Sequence, residues 1–288
     1  MARPLTEGRN PRTRNLDTLP IRRVIDLINR EDARVPAAVG RVGGSIARAV
    51  KLIAGRLLKG GRLFLVGAGT SGRLAVLEAA ECPPTFGTPP SLVQAVIAGG
   101  ARAVTRSVEG AEDDARAGAR AMRSLRSIDA VVGIAASGTT PFVRAALADA
   151  RRRRAGTIFL SCSPGGRIAD VHITPRVGPE VIAGSTRLKA GTATKLVLNA
   201  ITVAVMTRLG KVYGNLMVDV RPTNAKLRDR ARRIVRELTG KAPEAALAAA
   251  RGRVKTAVVM LRRGIGAREA ERALAKRGGD LRGALEGR

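Results

Sequence analysis

A chain of 288 residues, 45% of them hydrophobic, can bury the core of one large domain with a small appendage, which excludes wholesale disorder. Its 52 Lys and Arg against 23 Asp and Glu leave a formal charge of +29, the electrostatic footprint of a polyanion binder. Aromatic residues make up only 2% and there is no Trp, so the stacking surfaces of a single-strand binder are missing and nucleic acid is not expected as the primary partner.

Met1 to Leu19 is polar and rich in Arg, Thr and Pro, which predicts an extended arm. It has no apolar stretch of the signal-peptide kind. From Pro36 to Gly60, apolar residues fall at Val39, Val42, Ile46, Val50, Ile53 and Leu57, the spacing of one amphipathic helix closed by Gly60-Gly61. RLFLVGAG (Arg62 to Gly69) is a short apolar run ending in glycine, as in a buried parallel strand. Thr70-Ser71-Gly72 opens a helix through Glu81, where Pro83-Pro84 is expected to stop it. The unit recurs. LVQAVIAGG (Leu92 to Gly100), AVVGIAASG (Ala130 to Gly138) and TIFLSC (Thr157 to Cys162) are further strands, VHITP (Val171 to Pro175) is a short fifth, and a helix from Thr140-Pro141 to Arg154 separates the third and fourth.

Leu188 to Leu209 is a long apolar helix, yet no uninterrupted apolar run reaches the roughly 18 residues of a membrane span. Beyond Gly240 the chain turns to Ala- and Arg-rich helices broken at Gly252, Gly264 and Gly278-Gly279. The expected organisation is an N-terminal arm with a first short helix (1–35), a main α/β domain (36–240) and a small helical subdomain (241–288). Alternating strands and helices predict a mainly parallel sheet sandwiched by helices. Cys82 and Cys162 lie far apart without zinc-type spacing, as expected of unbridged thiols in a reducing, cytoplasmic setting.

Two strands end in loops of related chemistry, GAGTSGR (Gly67 to Arg73) and ASGTTP (Ala136 to Pro141). Glycine lets the backbone approach a ligand, while hydroxyls and helix N-terminal N–H groups hold a phosphate. Ser71, Ser137 and Thr140 are the natural contacts. The plainer reading makes Ser71 and Thr140 helix N-caps, with Pro141 at N1. A dinucleotide site would also fit GAGTSG, but it wants an acidic residue at the end of the second strand, which ends Ala98-Gly99-Gly100. No P-loop motif occurs.

Acidic residues are scarce, so their clusters are informative. Glu78 and Glu81 lie on the helix after the first loop. Partial burial of Glu81 beside Pro83-Pro84 and Phe86 would raise its pKa towards that of a useful general acid. In VEGAEDD, Glu109, Glu112, Asp113 and Asp114 open the next helix, where most of them serve the helix dipole and one is left for chemistry. His172 is expected to be structural. No His/Cys/carboxylate cluster has metal-ligand spacing, so neither metal nor other cofactor is expected.

The stretches TEGRNP, INREDARVP, GAGTSGR, ECPPTFGTPP, VEGAEDD, GIAASGTTP, GSTRLKAGTATKLVLN and GKVYGNLMVDV closely resemble, in order, those of N-acetylmuramic acid 6-phosphate etherases; glucokinase regulatory protein is similar but more remote. The resemblance implies a sugar isomerase (SIS) fold, usually dimeric, with a phosphosugar bound at the strand ends. It implies conversion of N-acetylmuramate 6-phosphate and water to N-acetylglucosamine 6-phosphate and D-lactate, with no metal and no nucleotide. The same fold without catalysis would be a phosphosugar-sensing regulator. By position Glu81 matches the family's proton donor and Glu112 its second active-site carboxylate. Phosphate binding falls to Thr70, Ser71, Ser137, Gly138 and Thr140. Glu180, Ser185 and Lys189 resemble a further block that helps close the site. Three features depart from the pattern. Thr139 stands where an Arg is common, Glu78 and Ala80 replace the usual Asp and Ser, and the charge of +29 is unusually basic.

Overall fold

Five parallel strands, β1 (Leu63–Gly67), β2 (Val93–Ile97), β3 (Ala130–Ile134), β4 (Gly156–Leu160) and β5 (Val171–Ile173), form one sheet in the order β2-β1-β3-β4-β5. The computed structural model describes residues 4–220 and 222–286. Every residue of β1, β3 and β4 is buried, as strands covered on both faces require, and their Val, Ile and Leu content serves that burial. Phe64, Val66, Val131 and Phe159 point into a core shared with α6 (Ala115–Arg120) and α7 (Pro141–Arg152). On the other face α3 (Gly43–Leu57) packs on β3, β4 and β5. The expected parallel α/β sheet between helices is therefore what forms.

The described chain divides into two compact units. One takes the residues up to Ala80 with Ser91–Thr202; the other takes Glu81–Pro90 with the residues from Val203 onward. The second unit is helical, built from α9 (Ala225–Thr239), α10 (Glu244–Ala249), α11 (Val254–Arg263), α12 (Ala267–Lys276) and α13 (Leu281–Glu286) around Ile234, Val235, Val254, Val258 and Leu281. Its one tyrosine, Tyr213, lies under the Arg282 guanidinium, 4.8 Å from the ring centroid. Asp219 accepts from Lys211 at 3.0 Å and Lys255 at 2.7 Å. A Cβ on Gly87 (φ +63) would fall 2.2 Å from the Asp219 carbonyl oxygen, so this turn takes only glycine.

Three local expectations fail for identifiable reasons. The helix from Pro36 to Gly60 is two helices, α2 (Val35–Gly40) and α3, because Gly40, Gly43 and Gly44 weaken the helix around Arg41-Val42. The helix after β1, α4 (Gly69–Phe86), carries Pro83 and Pro84 in its last turn instead of stopping before them. Two missing N–H donors are tolerable there, since Gly87 N–H still bonds Pro83 O at 3.0 Å and Phe86 is buried. The arm is not extended. Leu5–Glu7, Pro11–Thr13 and Leu16–Thr18 are 3₁₀ turns, and Thr6, Asn10 and Thr13 are buried. Hydrogen bonds hold it: Thr13 Oγ1 donates to Val181 O at 2.8 Å and Asn10 Nδ2 to Glu31 at 2.8 Å, the latter on α1 (Ile21–Asp32).

Candidate functional site

The strands end level. Register places Gly67 beside Ile97 and Ile134, and Ile134 beside Leu160, so the loops after four strands leave from one rim. The order 2-1-3-4-5 reverses direction between β1 and β3, the switch point at which open α/β sheets bind ligands. Both glycine loops read from the sequence leave these two strands.

In the first loop the helix begins so tightly that side chains are excluded. A Cβ on Gly67 would sit 2.6 Å from Gly72 N, and one on Gly72 would sit 2.5 Å from Ile97 Cγ1. Thr70 and Ser71 therefore enter the first turn of α4 with half-buried side chains. Gly191, on α8 (Lys189–Arg208), packs on Thr70, its ideal Cβ 3.7 Å from Thr70 Cγ2. Arg73 closes the loop from behind, donating to Val104 O at 3.0 Å and Arg106 O at 2.9 Å.

The second loop turns at Gly138 (φ +81). Ser137 Oγ and Thr139 Oγ1 lie 2.8 Å apart, and Thr139 N–H reaches Ser137 Oγ at 3.3 Å. Thr140 occupies the N-cap position of α7 with Pro141 at N1, but its hydroxyl caps nothing. Ser71 is the third residue of α4 rather than its cap. The capping reading thus accounts for neither hydroxyl, and among the described residues Thr70, Ser71 and Thr140 make no side-chain hydrogen bond. A third loop, Ser163 to Gly166 after β4, is one that sequence reasoning missed. Gly138 packs on it, its ideal Cβ 3.1 Å from Gly165 Cα, and Ser163 Oγ is buried without a partner among the described residues. Its signal is a Pro-Gly-Gly run four residues past the end of an apolar strand.

The carboxylates separate by role. Asp114 is the N-cap of α6, accepting from Ala117 N–H at 2.8 Å, and Glu109 accepts from Ser107 Oγ at 2.6 Å. Asp113 ends a 3₁₀ turn over Ala111–Asp113 and is exposed. Glu112 is exposed, makes no hydrogen bond or ion pair among the described residues, and lines a cavity of about 170 Å³ with Gly69, Arg73, Arg106 and Glu109. On α4, Glu78 is buried and committed, accepting from Lys195 Nζ at 2.6 Å and Thr202 Oγ1 at 2.5 Å. Glu81, one turn on, is exposed and belongs with the second unit. The burial expected of it is absent, because the prolines continue the helix rather than folding back over the carboxylate.

Glu180 and Lys189 lie elsewhere. Both are fully buried. Glu180 accepts from Lys189 N–H and Ala190 N–H, each at 2.9 Å, which caps α8, and burial raises its pKa against those bonds. Lys189 Nζ donates to Glu31 at 2.7 Å. Arg12 and Asn10 bond the same carboxylate, and hydrogen bonding from Arg12 foremost, with Lys189 and Asn10, overcomes burial and holds Glu31 at about 2. Ser185 is half-buried, with no side-chain hydrogen bond among the described residues. His172 is structural as expected, its ring edge-on to Phe159 at 5.9 Å and its Nε2 on the Ala169 backbone.

Residues 45–151 match the glucokinase regulatory protein N-terminal SIS domain. Over 289 residues the chain is 53% identical to an N-acetylmuramic acid 6-phosphate etherase of Nostoc sp., covering 98% of this chain and 94% of the relative. The relative of that name from Rubrobacter xylanophilus is 53% identical, covering 99% and 97%. The chain belongs to the N-acetylmuramic acid 6-phosphate etherase family. A third member, from Mycolicibacterium smegmatis, is 52% identical over 97% of each chain. Among solved structures, a phosphoheptose isomerase from Francisella tularensis superposes with a TM-score of 0.52 at 18% identity, over 66% of this chain and 100% of that one. Phosphoheptose isomerase from Neisseria gonorrhoeae gives 0.50 at 20%, over 65% and 100%. At that identity the likeness shows the fold that etherase-family and isomerase chains share.

Proposed function

We propose that this protein cleaves the D-lactyl ether of N-acetylmuramic acid 6-phosphate by elimination and water addition, giving N-acetylglucosamine 6-phosphate and D-lactate. The observation that carries the reading is identity at about half of all positions, over nearly the whole chain, with relatives bearing that activity as their name. The uncommitted hydroxyls at the switch point of the sheet support it, since a phosphoryl group needs donors that the fold has not already used.

In the opened sugar the aldehyde acidifies the proton on carbon 2. Glu112 accepts that proton, and Glu81 protonates the ether oxygen on carbon 3 as the carbon–oxygen bond breaks and lactate leaves. Water then adds to carbon 3 of the unsaturated aldehyde while a proton returns to carbon 2, so one water is consumed and the enzyme is regenerated. Thr70, Ser71, Ser137 and Thr140 hold the phosphoryl group, with Gly138 keeping the second loop's backbone close to it. Glu180 and Lys189 act indirectly, by fixing the start of α8, whose Gly191 lies on Thr70; Ser185 is left to close over the sugar. On this reading the enzyme is a cytoplasmic homodimeric carbon–oxygen lyase without cofactor.

Incubation with N-acetylmuramic acid 6-phosphate in ¹⁸O-water tests it. D-lactate must appear together with one solvent oxygen on carbon 3 of the amino sugar. Tight phosphosugar binding without lactate release would instead mark a sensor.

A further inference from the structure

One side chain outside both glycine motifs joins the second and third loops. Arg144 stands on α7, one turn past Thr140, and its Nη1 donates to Gly138 O at 3.1 Å and to Gly165 O at 2.8 Å. The segment Ala136–Pro141 carries no charge of its own, so this guanidinium is the cation bonded to the loop. The two glycines it grips are themselves pressed together. A Cβ on Gly138 would lie 3.1 Å from Gly165 Cα, and one on Gly165 would lie 2.4 Å from Phe159 Cε1.

Gripping the Gly138 carbonyl has a directional effect. A trans peptide is planar, so its carbonyl and the following N–H point opposite ways. With the Gly138 oxygen turned to Arg144, the Thr139 N–H is turned away from it, and there it meets Ser137 Oγ at 3.3 Å. That same oxygen is 2.8 Å from Thr139 Oγ1. A chain of contacts thus runs from the guanidinium through one peptide plane to the Ser137 hydroxyl. We infer that Arg144 is a positioning residue. It sets the Gly138–Thr139 peptide, and through it the Ser137 and Thr139 hydroxyls, in the orientation that receives the substrate's phosphoryl group. This rests on the phosphosugar reading above and adds a residue that the loop motif does not contain.

The test uses Arg144→Met and Arg144→Lys, with Arg151→Met as a control on the same face of α7, where both arginines line one groove. Two quantities are read: KM and kcat for lactate release, and half-saturation by inorganic phosphate, followed as slowed amide hydrogen exchange in 136–141. Arg144→Met is expected to raise KM and the phosphate half-saturation together by about tenfold, while kcat moves less than about threefold, because charge-assisted bonds that organise binding are lost and the reacting groups are untouched. Arg144→Lys should fall between, since an ammonium cannot hold two carbonyls in one fixed plane. Arg151→Met should change neither.

A lowered melting temperature with KM and phosphate half-saturation unmoved would overturn the inference, as would an equal rise in Arg151→Met. If Arg144→Met does not fold, the lysine variant is judged by the same rule. If the wild type releases no lactate, the etherase reading falls and phosphate half-saturation alone judges Arg144. A tenfold loss sustains the inference; an unchanged value, or no phosphate binding by the wild type, ends it.

Discussion

Where the N-terminal arm, α1 and the start of α8 meet, charged groups are matched to one another. Glu31, with 2% of its side chain exposed, takes Arg12, Asn10 and Lys189, while Glu180 takes two backbone N–H groups. At the rim of the sheet the opposite holds. Among the described residues Thr70, Ser71 and Thr140 keep uncommitted hydroxyls, and Glu112 stands open beside a cavity. Burial explains the first region, because an unpaired charge in the interior costs several kcal/mol. Nothing about stability demands the second. Groups left open in this way are available to a ligand, as interior groups matched to one another are not.

The comparison breaks first at the two candidate catalytic carboxylates. Glu112→Gln and Glu81→Gln should each lower kcat for lactate release by about 10²–10⁴, the usual worth of a general acid or base, with melting temperatures close to wild type. A variant near wild-type turnover removes that residue from the chemistry. The reverse is expected at the interior. Glu31→Ala strands Lys189 in the core and should cost about 3–5 kcal/mol in urea unfolding, while turnover of the folded protein falls far less than in Glu112→Gln. A cost below about 1 kcal/mol would mean the cluster is not desolvated as its burial implies.

Acid sharpens the contrast further. Glu31 is held at about 2 by Arg12, Lys189 and Asn10. Asp129 is also held at about 2, burial opposing its ionisation but hydrogen bonds from Arg62 and Arg126 winning. Both lie below their ordinary values near 4, so the stability they confer is complete above about pH 5 and is lost as pH falls towards 2, each contributing about 2–3 kcal/mol. Urea midpoints that stay flat from pH 5 to 2.5 would contradict this. The smallest effects belong to the rim hydroxyls. Ser71→Ala and Thr140→Val should each raise KM about three- to tenfold at constant kcat, the net worth of about one hydrogen bond.

Much of the frame was legible because apolar runs ending in glycine announce buried parallel strands; Arg62 to Gly69 contains all of β1. Both glycine loops were legible for the same reason, as glycine and hydroxyl residues cluster at strand ends. Three kinds of information were not. Pro83-Pro84 reads as a stop, yet prolines in a last turn forfeit little. Glu180 and Lys189 were named through the resemblance alone, and their burial and pairing were silent, because a charged residue in a Gly- and Ser-rich stretch looks alike whether buried and paired or facing a ligand. Arg144 is silent in sequence because its two acceptors lie 6 and 21 residues away, a proximity that only the parallel register creates.

The single tyrosine beneath Arg282 has a practical consequence. With no tryptophan in the chain, ultraviolet emission comes from Tyr213, which belongs to the helical unit. A melt followed by that light reports the helices around Ile234 and is blind to the sheet and its glycine loops, whereas circular dichroism sees both. Coincident midpoints from the two signals would show that the sheet and the helical unit unfold as one; separated midpoints would give each its own stability without cutting the chain.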